Sequence, residues 1–244
     1  MGLKVLIDYD NVPANVWAPG PIAAAEALCA RLPASVVGSE KELTVRLYGG
    51  WRSASKATAR AQKLIPQLDA ESHRYVSRPG HSAEAAKIRL VVQLALSPLG
   101  SSSVFDTTLA RERSIRSFRP RASSGSPCAD PSACGLGFLT NLTHQSLCLT
   151  SGCASTPQDL LVRDEQKMVD TLMVADMAHA AFVDCDRDIV VITSDTDIWP
   201  GVLLAIKGGC AVTQVHPKQS ASTHPALVGM LPHAMQNYFQ QISI

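Results

Sequence analysis

The chain has 244 residues, 46% of them hydrophobic but only 5% aromatic, which supplies one α/β domain plus an insertion, or two small domains, with a core of Ala, Val, Leu and Ile. A formal net charge of +1 excludes a global attraction to polyanions, so any nucleic-acid contact must come from a local patch. Seven cysteines, an odd number, argue against a complete disulfide framework.

The N-terminus reaches Lys4 and Asp8 too soon for a secretory signal. The most apolar later run, Leu90 to Leu99, is too short to span a bilayer and ends at Ser97-Pro98. Asn141-Leu142-Thr143 matches a glycosylation sequon that is a chance match without an export signal. These features lead to the expectation of a soluble cytoplasmic protein with no membrane partner.

Leu3–Ile7 reads as a first strand running straight into Asp8-Tyr9-Asp10-Asn11. Residues two apart on a strand share a face, so Asp8 and Asp10 point into one site if the strand persists. Pro21–Leu32 is an Ala-rich helix opened by Pro. Leu43–Gly49 is a second strand, and Ser55–Leu68 a helix with Lys56, Arg60 and Lys63 on one face. That basic face is most simply a solvated one. Tyr75–His81 reads as a loop and Lys87–Leu96 as a strand, on the strength of Ile88, Val91 and Val92.

Composition shifts after Pro98. Residues 101–157 are rich in Ser, Pro, Gly and Cys without long apolar periodicity, and read as an insertion between a domain half at 1–100 and another at 158–244. The insertion opens with Arg111, Arg113, Arg116, Arg119 and Arg121, a run able to contact phosphates or simply be solvated. Regular structure resumes with a short strand at Leu160–Arg163. A helix follows over Glu165–Phe182, in which Val169, Leu172, Met173 and Ala180 recur at helical spacing. Ile189–Thr193 is a strand, Pro200–Lys207 a helix stopped by Gly208-Gly209, and Ala211–Val215 a last strand. Pro225–Ile244 reads as a loop and a C-terminal helix. Alternating strands and helices of this kind build a mostly parallel sheet covered on both faces, a three-layer α/β/α class.

The stretch Asp188–Asp197 (DIVVITSDTD) joins a strand buried on both faces to two carboxylates where the strand should end. In open α/β sheets, ligands bind outside the carboxyl ends of strands. Paired acids there repel and are desolvated unless a cation lies between them. Ser, Thr and Asp are equally good helix N-caps, so a divalent-metal site and a capping turn are both open. Asp170 sits among Met168, Val169, Leu172 and Met173, a costly place for a carboxylate unless Lys167 pairs with it or a metal binds it. Asp176, six positions on, lies about 120° round the helix and belongs to the fold or the rim of the site. Carboxylates gathered at strand ends suit Mg²⁺ or Mn²⁺.

Ile7-Asp8-Tyr9-Asp10-Asn11, then Lys167-Met168-Val169-Asp170 with Asp176-Met177, then Ser194-Asp195-Thr196-Asp197 and Gly208-Gly209-Cys210-Ala211-Val212 resemble the NYN domain of the PIN-like superfamily of metal-dependent ribonucleases. The resemblance covers residues 3–50 and 160–216. Met168 stands where that family often has Gly, and Ser194-Asp195 lacks the usual intervening Gly. The resemblance implies a PIN-like fold in which Asp8, Asp170, Asp195 and Asp197 hold one or two Mg²⁺ or Mn²⁺ ions. Asn11 orients the first motif or touches substrate, and Asp10 is a second-tier ligand. It implies hydrolysis of RNA phosphodiesters by a metal-activated water, with DNA as the alternative partner. Two rivals remain: a catalytically weak RNA-binding or scaffolding module, and a haloacid-dehalogenase-like phosphatase, which also begins with a strand and Asp-x-Asp.

Within the insertion, Cys128 and Cys134 form one pair and Cys148 and Cys153 another, beside Gly135, Gly137 and Gly152. Four thiolates suit a structural zinc ion that would staple a segment lacking a core, with His144 an alternative ligand and four unlinked thiols the plainer reading. Cys29, Cys185 and Cys210 lie in apolar contexts and read as core residues. The arginine run and the cysteine cluster together suggest a segment that contacts nucleic acid or a partner.

Overall fold

The computed structural model describes residues 2–53, 56–71, 73–77, 87–101, 109–114, 162–218 and 221–244. The chain divides into two units, Met1–Ala110 with Gln166–Ile244, and Arg111–Glu165. Strand β7 (Leu109–Ser114) leads into the second unit and β8 (Val162–Lys167) leads out of it. Arg111 and Arg113 fall on β7, but their side chains lie outside the described residues. So do Arg116, Arg119, Arg121, Cys128, Cys134, His144, Cys148 and Cys153.

The first unit is organised by a seven-stranded sheet of order β11-β10-β9-β1-β2-β6-β5. Its strands are β1 (Leu3–Asp8), β2 (Glu42–Tyr48), β5 (His73–Ser77), β6 (Lys87–Leu94), β9 (Asp188–Ile192), β10 (Ala211–His216) and β11 (Phe239–Ser243). All adjacent pairs are parallel except β5 with β6. Two short strands, β3 (Arg52–Ser53) and β4 (Lys56–Ala57), pair antiparallel with each other and are not part of that sheet.

Alternation along the strands feeds two cores. Leu3, Val5 and Ile7 of β1, with Val190 and Ile192 of β9, join residues of helices α1 (Pro21–Cys29), α2 (Ala34–Val37) and α3 (Ala59–Ala70). Leu6, with Ile189 and Val191, joins helices α4 (Val169–Phe182) and α5 (Trp199–Lys207). Strands buried on both faces explain the unbroken apolar runs at Val5–Ile7 and Ile189–Ile192. From β1 the chain moves outward to β2 on one side, and from β9 to β10 on the other. Right-handed crossovers leaving in opposite directions place their helices on opposite faces. The crevice between β1 and β9 is therefore a topological switch point, the usual place for a ligand in such sheets. Among the described residues no helix is long and apolar enough to cross a membrane.

Several expectations from sequence need correction. Tyr75–Ser77 belongs to edge strand β5, where Val76 alone is buried; an edge strand needs no continuous apolar run. The expected C-terminal helix is instead a four-residue helix α6 (Pro225–Val228), a 3-10 turn at His233–Tyr238 and strand β11, whose backbone closes the edge of β10. Helix α3 starts at Ala59, capped by the Thr58 hydroxyl accepting from the Ala61 N–H at 3.3 Å. Lys56 thus sits on β4 and leaves the supposed basic face. Helix α4 starts at Val169, four residues later than expected, because Glu165–Lys167 extend β8 and Met168 takes a left-handed φ of 64° that breaks the chain direction. Cys29 and Cys210 are buried as expected, but Cys185 is exposed in a turn at φ 53°.

Candidate metal centre

Parallel pairing sets Ile7 of β1 opposite Ile192 of β9, so both strands end on the same edge of the sheet. Asp8 is the last residue of β1 and is buried. Asp195 follows β9 by three residues. Asp170 occupies the first turn of α4, where a carboxylate also suits the helix dipole. The three side chains meet: each offers a carboxylate oxygen, and these oxygens lie within 4.8 Å of one another.

Hydrogen bonds from the two strand ends fix the arrangement. Asp8 Oδ2 accepts from Asn11 Nδ2 at 2.8 Å and from Thr193 Oγ1 at 3.0 Å. Its Oδ1 accepts from the backbone N–H groups of Asp10 and Asn11 at 3.3 and 3.4 Å. The Asn11 side-chain oxygen accepts from the Ser194 N–H at 3.3 Å, and the Thr193 hydroxyl accepts from the Asp195 N–H at 3.0 Å. Asn11 and Thr193 therefore lace the Asp8 turn to the Asp195 turn across the switch point. The Asp195 Oδ1 accepts from the Asp197 N–H at 2.9 Å, so Asp195 also closes its own turn. Capping of α5 by a side chain does not occur: its N-cap is Ile198.

Behind the site, Asp176 is completely buried on α4. It accepts from Tyr48 Oη at 2.5 Å and from the Leu99 N–H at 2.7 Å, and pairs with Arg46 at 3.1 Å. The expected supporting role for Asp176 thus has a definite form: it ties the helix carrying Asp170 to β2. Burial and the adjacent charge drive the Tyr48 hydroxyl well above its ordinary pKa.

The electrostatics of the trio favour a cation. Burial first, then the carboxylates of Asp195, Asp8 and Asp197, push the Asp170 carboxyl up to about 6. Burial also raises Asp8, opposed by the hydrogen bonds from Asn11 and Thr193. Among the described residues, none of the ion pairs reaches Asp8, Asp170 or Asp195. The donor set is three carboxylates without His or Cys, an all-oxygen set of the kind hard divalent cations take.

Two acids expected to act as ligands, Asp197 and Asp10, are not in the trio. Asp197 is exposed and acts on Asp170 through its charge. Asp10 does not share a face with Asp8, because β1 ends at Asp8 and a turn carries Asp10 to an ion pair with Arg60. The Lys167 side chain, proposed as the partner of Asp170, lies outside the described residues. Sequence reasoning missed Thr193, which a β-branched strand pattern absorbs, and the Arg46–Tyr48 pair, whose alternating placement on β2 was the available signal. Comparisons with protein-family models, with curated proteins and with solved structures give no match.

Proposed function

We propose that the chain is a divalent-metal-dependent ribonuclease of the NYN type, with the three-layer PIN-like arrangement expected of it. The observation that carries this reading is the meeting of Asp8, Asp170 and Asp195 at the carboxyl edge of the sheet. These three would hold Mg²⁺ or Mn²⁺, with Asp197 acting through a water. Bound there, such an ion would activate water for attack on a phosphodiester and would offset charge on the departing oxygen. The chain's own part is positional. Asn11 and Thr193 hold Asp8 by hydrogen bonds, the Asp197 N–H holds Asp195, and Asp176 holds the helix that carries Asp170. The phosphatase reading is weakened because its two acids do not converge: Asp10 turns to Arg60.

From sequence alone, the insertion adds a zinc site at Cys128, Cys134, Cys148 and Cys153 and an RNA contact through Arg111, Arg113, Arg116, Arg119 and Arg121. Metal analysis of purified protein is expected to give one zinc per chain, reduced by Cys128→Ser; sub-stoichiometric zinc with no effect of that variant removes this part.

The functional test is cleavage of single-stranded and structured RNA with Mg²⁺ or Mn²⁺, comparing wild type with Asp195→Asn. Metal-dependent cleavage is expected in wild type and only background in the variant. Equal activity in the two would place the activity elsewhere. Binding without cleavage by either would identify a non-catalytic RNA-binding module.

A further inference from the structure

Beside the metal centre lies a cleft of about 440 Å³, lined in part by Tyr9, Asp10, Asn11, Trp17, Arg60 and Lys218. Its volume falls in the range of small-ligand sites, roughly 300–1,000 Å³. Three features give it a definite chemistry. Tyr9 and Trp17 are stacked, with ring centroids 4.2 Å apart and planes at 13°. The Trp17 indole N–H donates to the Tyr9 carbonyl at 3.1 Å, and Tyr9 meets buried Trp51 edge-on at 5.3 Å, so the stack is anchored. The Arg60 guanidinium lies 5.3 Å from the Tyr9 ring centroid, with its side chain 45% exposed, which makes it the accessible part of the stack. Arg60 and Lys218 set two cations against the one carboxylate of Asp10, which Arg60 pairs.

Aromatic rings and guanidinium planes are platforms for unpaired bases, and adjacent cations take the phosphate. Asn11 joins this cleft to the metal centre, since it lines the one and donates to Asp8 in the other. We propose that the Tyr9–Trp17–Arg60 stack, with Lys218, is a subsite for one unpaired nucleotide next to the phosphodiester presented to Asp8, Asp170 and Asp195. This deepens the ribonuclease reading and rests on it for the placement of the scissile bond. The subsite selects extrusion of a base, so a nucleotide held in a duplex does not enter it.

The test is fluorescence anisotropy of 3′-fluorescein decauridylate with the full chain in EDTA, where binding is read without cleavage. Arg60→Ala is expected to weaken binding by about tenfold, as loss of one stacking contact does. Lys218→Glu is expected to weaken it and to lower the dependence on salt. Trp17→Ala should behave like Arg60→Ala, and Trp17→Phe should restore most of the affinity. Because Arg60 and Lys218 are exposed, their variants remain informative if Trp17→Ala fails to fold. No binding by wild type, or equal binding by wild type, Arg60→Ala and Lys218→Glu, overturns the subsite. Cleavage of the same oligonucleotide with Mn²⁺ is scored separately. Cleavage with binding insensitive to these variants leaves the nuclease reading standing and removes the subsite; variant-sensitive binding without cleavage does the reverse.

Discussion

Asp170 is held in a state that folding disfavours when it is charged. Its carboxyl is pushed up to about 6 by burial and by three neighbouring acids, against about 4 in an unfolded chain. The folded protein therefore binds more protons than the unfolded one between those values. The contribution of this group to metal-free stability is therefore full below about pH 4 and is lost as pH rises through about 6. For a half-buried group screened by solvent the effect is on the order of 1 kcal/mol. Thermal denaturation in EDTA should show this decline, and Asp170→Asn should flatten it while raising the melting temperature at pH 7.5. A metal-free profile rising from pH 4 to 7 in wild type but not in Asp170→Asn contradicts this reading of the trio. Met168 provides a second residue-scale case. It holds a left-handed φ of 64° with 47% of its surface exposed, a conformation costly for a side chain and natural for glycine. The resemblance to a Lys-Gly-Val-Asp motif already marked this position. Met168→Gly should raise stability to urea by about 0.5–1 kcal/mol; a loss would show that the methionine side chain contributes more than the backbone strain costs. Asp8 and Asp195 stood out in the sequence because carboxylates at strand ends are conspicuous, and Asp170 because a carboxylate among apolar helix residues is. The roles of Thr193 and Asp10 were not legible there, since they depend on where a strand stops and what lies across a gap in sequence of more than 180 residues.

At the scale of elements, helix α4 positions Asp170 through two contacts. One is the buried Asp176 network with Arg46 and Tyr48. Asp176→Asn would strand the Arg46 charge in the interior, and a loss of about 3–5 kcal/mol is expected; a loss below about 1 kcal/mol would show that the network is not a support. The other is the close approach of α4 and α5 at Gly201, where an added Cβ would come 2.9 Å from Met177 Sδ and 3.0 Å from the Val174 Cα. The second contact is backbone and cannot rotate away. Gly201→Ala should cost about 1–3 kcal/mol and, by shifting α4, weaken Mn²⁺ binding as well; unchanged stability and binding would mean the helices separate freely. The central strands and the four longer helices of the first unit were legible in the sequence, because burial on one or both faces leaves a periodic or continuous apolar record. Edge strands β5 and β11 were not. Their backbones pair on one side with polar, exposed residues between, and such segments carry no hydrophobic signature of their own.

The whole first unit converges on one crevice. Opposite crossovers from β1 and β9 leave the switch point open, the two strand ends supply Asp8 and Asp195, and α4 brings Asp170 to the same edge. The strand order that creates this crevice cannot be read from the sequence, because it depends on which strands pair rather than on where they begin and end. The most direct measurement is titration of Mn²⁺ into metal-free protein at pH 7.5, with free Mn²⁺ followed by electron paramagnetic resonance. Wild type should take up at least one ion per chain, and Asp8→Asn, Asp170→Asn and Asp195→Asn should each weaken uptake by about tenfold or more, since even an outer-shell partner is worth about 10–100-fold. No uptake by wild type, or equal uptake by wild type and all three variants, would contradict the assignment of these carboxylates as one cation site.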